Sequence, residues 1–243
     1  MPKIETIITP AIFHLYEEGI AHKNVVVIDI LRATTTICTA FANGVIEIAP
    51  VSKPINAKKL KEKGWIAAAE RNGKTVRGFD LGNSPQDYTK ERVEGKKIAL
   101  TTTNGTRALQ MCEKAAGVYI GSFLNLDVLY NQLLKDGRDV LLFCAGWKDK
   151  FNLEDTVFAG ALAQKLSEQF ETSDDATQGA MDLYSYSHPD LHDYLQRASH
   201  VLRFNTLHIE TDLDVCLKIN EAPVLPVYVN KSIVLMQKNE QPA

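Results

Sequence analysis

The sequence predicts an α/β fold: a mainly parallel sheet flanked by helices in three layers, with a more helical C-terminal region and a terminal hairpin. Apolar runs alternate with stretches of helical periodicity from residue 24 to about residue 170. The runs 24–30 and 140–144 are almost entirely apolar, as expected for strands covered on both faces. Asn230-Lys231 separates two short apolar runs, which predicts the hairpin.

The first half of the chain contains three predicted strands and two predicted helices. Asn43-Gly44 ends the first helix and Gly64 the second, because these residues tolerate the left-handed backbone that closes a helix. The strands are expected at 24–30, 45–51 and 65–69, and the helices at 33–42 and 55–63.

A long loop is predicted over residues 71–88, where glycine and asparagine are frequent. Loops of this length in compact domains are usually functional or disordered, and the residue types here favour function. After it the alternation resumes, with strands at 97–100, 118–122 and 140–144, helices at 106–114, 126–135 and 153–170, a polar helical region at 174–219, and hairpin strands at 225–229 and 232–236. We expect one unit, which could consist of two packed halves at about 1–95 and 96–243.

Composition narrows the classes of function. The net charge of -3 and a pI near 6.1 argue against a broad nucleic-acid surface, but they allow a local basic pocket for a small anion. The four cysteines form no C-x-x-C pair, so we interpret them as reduced and buried. No segment approaches a membrane span of roughly 20 apolar residues and the N-terminus does not resemble a signal peptide, which predicts a cytoplasmic protein.

Two segments that follow predicted strands suit an anion. In the first, Asp29 is followed by Arg32 and by three threonines that open a helix, of which Thr34 and Thr35 are candidate ligands. Backbone N–H groups, hydroxyls and a guanidinium would all contact a phosphate or sulfonate there. A plain helix cap with an ion-paired arginine is the alternative. The second segment repeats this chemistry with Thr103, Asn104, Gly105, Thr106 and Arg107.

Two further segments supply acids and turn residues. The glycine-rich loop places Asp80, Asn83 and Ser84 after a strand that leads to Glu70, and a plain turn is the alternative interpretation. The other segment follows the strand 140–144, where Glu154 and Asp155 open a helix. Acids in a first helical turn are also ordinary dipole partners, so catalysis and capping are about equally supported for them.

Taken together, these carboxylates predict a magnesium site beside the anion site. Mg²⁺ is held by one or two carboxylates, waters and substrate phosphate oxygens. The candidate metal ligands are Asp29, Glu70 and Asp80, and the candidate catalytic residues are Asp29, Glu154 and Asp155. The histidines of the polar region make no zinc pattern and are expected on the surface or as hydrogen-bonded core residues; they are His188, His192, His200 and His208.

Several of these runs together resemble the 2-phosphosulfolactate phosphatases. The runs, in order, are DILRATTT (29–36), AAERNG (68–73), GFDLGNSP (78–85), TTTNGTRAL (101–109), GSFLN (121–125) and CAGWKDKFNLEDTVFAG (144–160). The resemblance implies an α/β, magnesium-dependent hydrolase that converts 2-phosphosulfolactate to sulfolactate and phosphate, a step toward coenzyme M. Its match is looser in the C-terminal part, which could carry substrate selection.

Such a substrate carries a carboxylate, a sulfonate and a phosphate, so a small polyanionic ester is the expected ligand. Asp29 also invites comparison with aspartyl-phosphate phosphatases, but Leu31 stands where they place a second acid. We therefore expect Asp29 to be a metal ligand or general base, with water as nucleophile. Two alternatives remain open: another phosphorylated hydroxy acid as substrate, or a non-catalytic anion-binding module. A homo-oligomer is compatible with the sequence.

Overall fold

A computed structural model describes residues 1–71, 74–102, 104–172, 174–206 and 211–236. Its eleven described strands form one sheet. The strands are β1 Lys3–Ile7, β2 Asn24–Ile28, β3 Glu47–Pro50, β4 Ile66–Arg71, β5 Lys74–Thr75, β6 Lys97–Thr101, β7 Gly117–Gly121, β8 Val140–Cys144, β9 Glu171–Thr172, β10 Pro226–Val229 and β11 Ser232–Leu235. Their order in the sheet is β5-β4-β6-β3-β11-β10-β7-β2-β8-β1-β9.

Helices connect most of the strands. In chain order they are α1 Ala33–Ala42, α2 Pro54–Lys61, α3 Lys90–Val93, α4 Gly105–Met111, α5 Leu126–Asp136, α6 Leu153–Leu166, α7 Asp175–Ser187, α8 Leu191–Leu195, α9 Ser199–Asn205 and α10 Thr211–Cys216. The predicted alternation is confirmed, and so is the more helical C-terminal region. No described helix is long and apolar enough to cross a membrane.

The sheet contains two parallel groups that run in opposite directions. One group is β4, β6 and β3, and the other is β7, β2, β8, β1 and β9. Three antiparallel pairings separate them, β3 with β11, β11 with β10, and β10 with β7. An odd number of antiparallel steps reverses the strand direction. The sheet is therefore mainly parallel, as predicted, but it has two polarities.

The terminal hairpin lies in the middle of this sheet. Asn230 and Lys231 form its turn, and both have positive φ angles, of 51° and 64°. Two-residue turns with positive φ match the twist of paired strands, which explains the tight connection. The predicted hairpin is confirmed, although its central position was not expected from the sequence.

Hydrophobic clusters cover both faces of the sheet. One cluster joins the two parallel groups, because Val27 of β2 and Ile48 of β3 belong to it together with Ile37 of α1. A second cluster packs the other face of β2 and β8 against α6 and α9, with Val26, Leu142 and Phe158 fully buried. A small third cluster lies under α2. Helices on both faces leave the strand ends as the places where polar side chains meet.

Some elements differ from the prediction. The strand β1 was not predicted, yet it pairs in parallel with β8 and with β9, near the sheet edge. The predicted loop at 71–88 begins with β5, a two-residue strand paired with β4. The sheet also continues across residue 95, since β6 pairs with β3 and β4.

Candidate active site

The first predicted anion segment forms a tight turn between β2 and α1. Asp29 Oδ1 accepts a hydrogen bond from the N–H of Ala33 at 3.2 Å. Its carbonyl oxygen accepts two more, from the N–H of Thr34 and from the Thr34 hydroxyl, each at 2.9 Å. The first N–H groups of α1 are thus bonded to Asp29 itself. The Asp29 carboxylate therefore occupies the position at the start of α1 that the sequence suggested for a phosphate.

The two predicted helix entrances meet at this carboxylate. A Cβ built on Gly105, the first residue of α4, would lie 3.2 Å from Asp29 Oδ2 and 3.0 Å from the Cβ of Ala33. Any side chain at position 105 would therefore press on both the turn and the carboxylate. Glycine is required here for close approach, not for a positive φ angle.

A pocket opens over the same carboxylate. It is lined by residues from several strand ends and from α9: Asp29, Leu31, Arg32, Glu70, Asn83, Thr102, Asn104, Trp147 and His200. The predicted segments after β2, β4, β6 and β8 therefore converge. A larger cavity of about 630 Å³ lies elsewhere, beside the start of β7 and the hairpin, and none of the predicted site residues lines it.

Arg32 is almost fully buried between two acids. Its Nη2 binds Glu70 Oε2 at 2.8 Å, its Nη1 pairs with Asp212, and its guanidinium carbon lies 4.7 Å from the centre of the Phe204 ring. Burial lowers the pKa of Arg32, but the two carboxylates outweigh this and leave its pKa raised. Arg32 is therefore a permanently charged centre whose terminal nitrogens are already paired.

The two acids that open α6 are both buried. Asp155 accepts the N–H groups of Ile30 at 2.9 Å and Gly146 at 3.1 Å, so it links the loops after β2 and β8. Burial, and then Glu154 and Asp29, raise the pKa of Asp155 well above its usual value. Glu154 Oε1 lies 2.8 Å from Nδ1 of His200, whose ring lines the pocket.

The electrostatics of Asp29 reflect this acidic surrounding. Burial raises the pKa of Asp29 to about 6. The N–H of Ala33 and the nearby His200 oppose that rise, while Glu70 and Glu154 add to it. The pocket therefore contains more carboxylates than cations. An anionic ligand is therefore expected to bind there more favourably when a cation binds with it.

Comparison with known proteins identifies the family. Residues 12–231 match the family model described as 2-phosphosulpholactate phosphatase. The chain belongs to the 2-phosphosulfolactate phosphatase family. This is a family of phosphoric monoester hydrolases, and the resemblance seen in the sequence is confirmed.

Relatives in bacteria support the same assignment. Proteins named "Probable 2-phosphosulfolactate phosphatase" occur in Caldanaerobacter subterraneus (38% identical, covering 88% of this chain and 91% of the relative) and in Symbiobacterium thermophilum (37%, 90% and 97%). A third, from Clostridium acetobutylicum, is 34% identical, with coverages of 90% and 94%. The similarity extends over nearly the whole length of each protein.

The side-chain hydroxyls of several predicted site residues form hydrogen bonds with other groups of the protein. The Thr35 hydroxyl donates to the carbonyl oxygen of Ile30 at 2.9 Å, and Thr35 is buried. The Ser84 hydroxyl donates to Asp212 at 2.6 Å. Thr106 exchanges hydrogen bonds with Thr102. Thr35, Ser84 and Thr106 are not among the residues that line the pocket, and their hydrogen bonds stabilise the segments around it.

Other predicted residues lie apart from the pocket lining. Asp80 pairs with Lys61 at 2.6 Å and accepts the N–H of Ala67, near the opposite end of β4 from Glu70. Arg107 pairs at 2.6 Å with Asp149, and both are about half exposed. Asn83 and Asn104 do line the pocket. Thr103 lies outside the described residues.

The metal prediction can be compared with the donors present. Among the described residues, no group of three or more His, Cys, Asp or Glu side chains is arranged to hold a metal ion. Asp29 and Glu70 both line the pocket, and a magnesium ion needs only one or two protein carboxylates when substrate and water complete its shell. The buried Asn83 Oδ1 has no hydrogen-bond partner and adds a neutral oxygen. The donors fit magnesium in this reduced form, without Asp80.

Important members of the site come from the C-terminal helices. His200 is buried and hydrogen-bonded to Glu154, as expected for a core histidine, but it also lines the pocket, which was not expected. Asp212 and Phe204 enclose Arg32. The family resemblance is looser here, and no local motif marks these residues. Their signal in the sequence was only a charged or aromatic residue on an otherwise apolar helix face.

Proposed function

We propose that this protein is a magnesium-dependent phosphatase that hydrolyses 2-phosphosulfolactate to sulfolactate and phosphate, a reaction of the coenzyme M type. The family membership supports phosphate ester hydrolysis. The observation that carries the finer proposal is the buried Asp29 carboxylate, which lies beside Gly105 and among Glu70 and Glu154. An anionic ester would be repelled by these acids unless a cation accompanied it.

Asp29 and Glu70 would hold the magnesium ion in this proposal. When bound, the ion neutralises charge on the transferring phosphoryl group. The two residues suit this role because both line the pocket and come from different strand ends, β2 and β4. Asp155 keeps the Asp29 turn in place through the N–H groups of Ile30 and Gly146.

In this proposal His200, oriented by Glu154, would act as the general acid and base. Water attacks phosphorus, the bond from phosphorus to the lactate oxygen breaks, and that oxygen must receive a proton. With Nδ1 bonded to the buried Glu154, the imidazole is held by its carboxylate and its Nε2 remains for the substrate. A histidine oriented by a carboxylate is a common general acid and base.

Phosphate release from 2-phosphosulfolactate tests the proposal. Activity should require Mg²⁺, disappear with EDTA and return when Mg²⁺ is added in excess. Asp29→Asn should retain the circular dichroism spectrum and lose nearly all turnover. His200→Gln should lower kcat by about 10²–10⁴, the usual contribution of general acid–base catalysis.

Three outcomes would count against it. Full activity in EDTA would remove the metal from the mechanism. Turnover of other phosphorylated hydroxy acids but not of 2-phosphosulfolactate would reassign the substrate. Binding of such esters without phosphate release from any of them would favour a non-catalytic anion-binding module.

A further inference from the structure

Arg203 approaches the pocket from the C-terminal helices. It belongs to α9, and its guanidinium carbon lies 4.2 Å from the centre of the Trp147 ring and 5.7 Å from that of Phe204. Trp147 lines the pocket, and Phe204 covers Arg32. Arg203 therefore lies against the Trp147 ring at the edge of the site, although it is not itself one of the residues that line the pocket.

Arg203 differs from the two arginines that the sequence singled out. Arg32 is paired with two acids and Arg107 with Asp149. Over the described part of the chain, no carboxylate forms an ion pair with Arg203. Its Nε is buried and has no hydrogen-bond partner; the Nε of Arg32 shares this feature, but the terminal nitrogens of Arg32 are paired with acids. It is thus the arginine of this region whose donors remain for a ligand.

The charges that act on Arg203 come from residues of the site. Burial lowers the pKa of Arg203, Glu70 and Glu154 act in the opposite direction, and Arg32 lowers it further. A guanidinium stays charged under such conditions, and a partly buried charge without a partner is unfavourable. An anion at this position would remove that penalty.

We infer that Arg203 binds the second anionic group of the substrate, the sulfonate or carboxylate that 2-phosphosulfolactate carries besides its phosphate. The inference rests on the proposed function, and it assigns the selectivity of the protein for polyanionic substrates to α9. A planar guanidinium fork, oriented by an indole ring, can donate two hydrogen bonds to a sulfonate or carboxylate. Arg203 is then a specificity-determining residue.

Steady-state kinetics on two esters test this role. The probes are 2-phosphosulfolactate and p-nitrophenyl phosphate, which has no second anionic group. Arg203→Ala should raise KM for 2-phosphosulfolactate about 10- to 100-fold, the loss expected for a charge-assisted contact, and leave kcat/KM for p-nitrophenyl phosphate within about twofold. Arg203→Lys should lie between, since it keeps the charge but loses the fork.

Arg197→Ala is the matched control. Arg197 also lies against an aromatic ring of the C-terminal region, at 4.0 Å from the centre of Tyr194, but it is exposed, and Tyr194, unlike Trp147, does not line the pocket. It should behave as the unmodified protein with both esters. An equal loss on both esters in Arg203→Ala would show a packing role and overturn the inference. So would unchanged kinetics on both.

A binding measurement separates this inference from the proposed function. Calorimetry with sulfolactate, which lacks the phosphate, should show binding that Arg203→Ala weakens at least about tenfold, while inorganic phosphate binds equally to both proteins. If sulfolactate binds in this way but no ester is hydrolysed, the proposed function fails and the role of Arg203 stands. If sulfolactate does not bind, or binds equally to the variant, Arg203 has no such role.

Discussion

Gly160 of α6 lies directly against the backbone of α7. A Cβ at this position would be 2.0 Å from the carbonyl oxygen of Ala180, 2.5 Å from its carbonyl carbon and 3.0 Å from the nitrogen of Met181. All three atoms belong to the backbone of α7, so no side chain can rotate away. Gly160→Ala must push the helices apart by about 1 Å to reach even a 3.0 Å contact.

The expected loss follows from two opposing effects. Overpacking a core costs about 1–3 kcal/mol, and the upper end applies because backbone must move. Alanine in place of glycine inside a helix contributes about 1 kcal/mol in the other direction. The net loss in the free energy of unfolding is about 2 kcal/mol, which lowers Tm by about 4–8 °C in a protein of this size.

Thermal unfolding followed by circular dichroism measures this change, and Gly179→Ala is its control. Gly179 lies in α7, and a Cβ there would have no neighbour within 4 Å. That variant should gain up to about 1 kcal/mol and raise Tm by about 2–4 °C. If Gly160→Ala were as stable as Gly179→Ala, close helix contact at Gly160 would not limit packing.

Three further predictions concern hydrogen bonds, the buried ion pair and the thiols. Tyr88→Phe removes a 2.8 Å bond to the carbonyl oxygen of Gly82 and should cost about 1 kcal/mol in urea unfolding, so an unchanged midpoint would contradict it. Asp212→Ala leaves the buried Arg32 with one fewer acid and should cost about 3 kcal/mol in the same assay; a loss below about 1 kcal/mol would indicate an exposed pair. Burial raises the pKa of all four thiols, those of Cys38, Cys112, Cys144 and Cys216. The native protein at pH 8 should therefore not react with Ellman's reagent, whereas the protein in urea should release four equivalents of thionitrobenzoate. Rapid reaction of the native protein would refute this.

The buried elements of the fold were predictable because burial leaves a strong pattern. The strand β8 matches its predicted range of 140–144, and α1 matches 33–42. The strand β1 has only five residues, with charged and apolar residues alternating only over its first three, and β5 and β9 have two residues each. Such short strands exist because a partner strand pairs with them. Local sequence carries little sign of that.

The site also contains residues that the sequence predicted and residues that it did not. Asp29 was identifiable because it follows β2 directly, and Gly105 because it belongs to the turn between β6 and α4; the structure brings them together. Whether a hydroxyl such as that of Thr35 points at a ligand or at a carbonyl oxygen depends on the exact turn. His200 reaches Glu154 across 46 residues and Asp212 reaches Arg32 across 180. No spacing rule connects positions so far apart.

The central position of the hairpin has a consequence for folding during synthesis. Among the described strands, β10 and β11 are made last, yet they join β7 to β3. Until they leave the ribosome, β7 and β3 each present an open edge, a known site for unwanted pairing between chains. A nascent chain that stalls before residue 226 should therefore aggregate or recruit chaperones. We expect a protease-resistant sheet to appear only after residues 226–235 have left the ribosome.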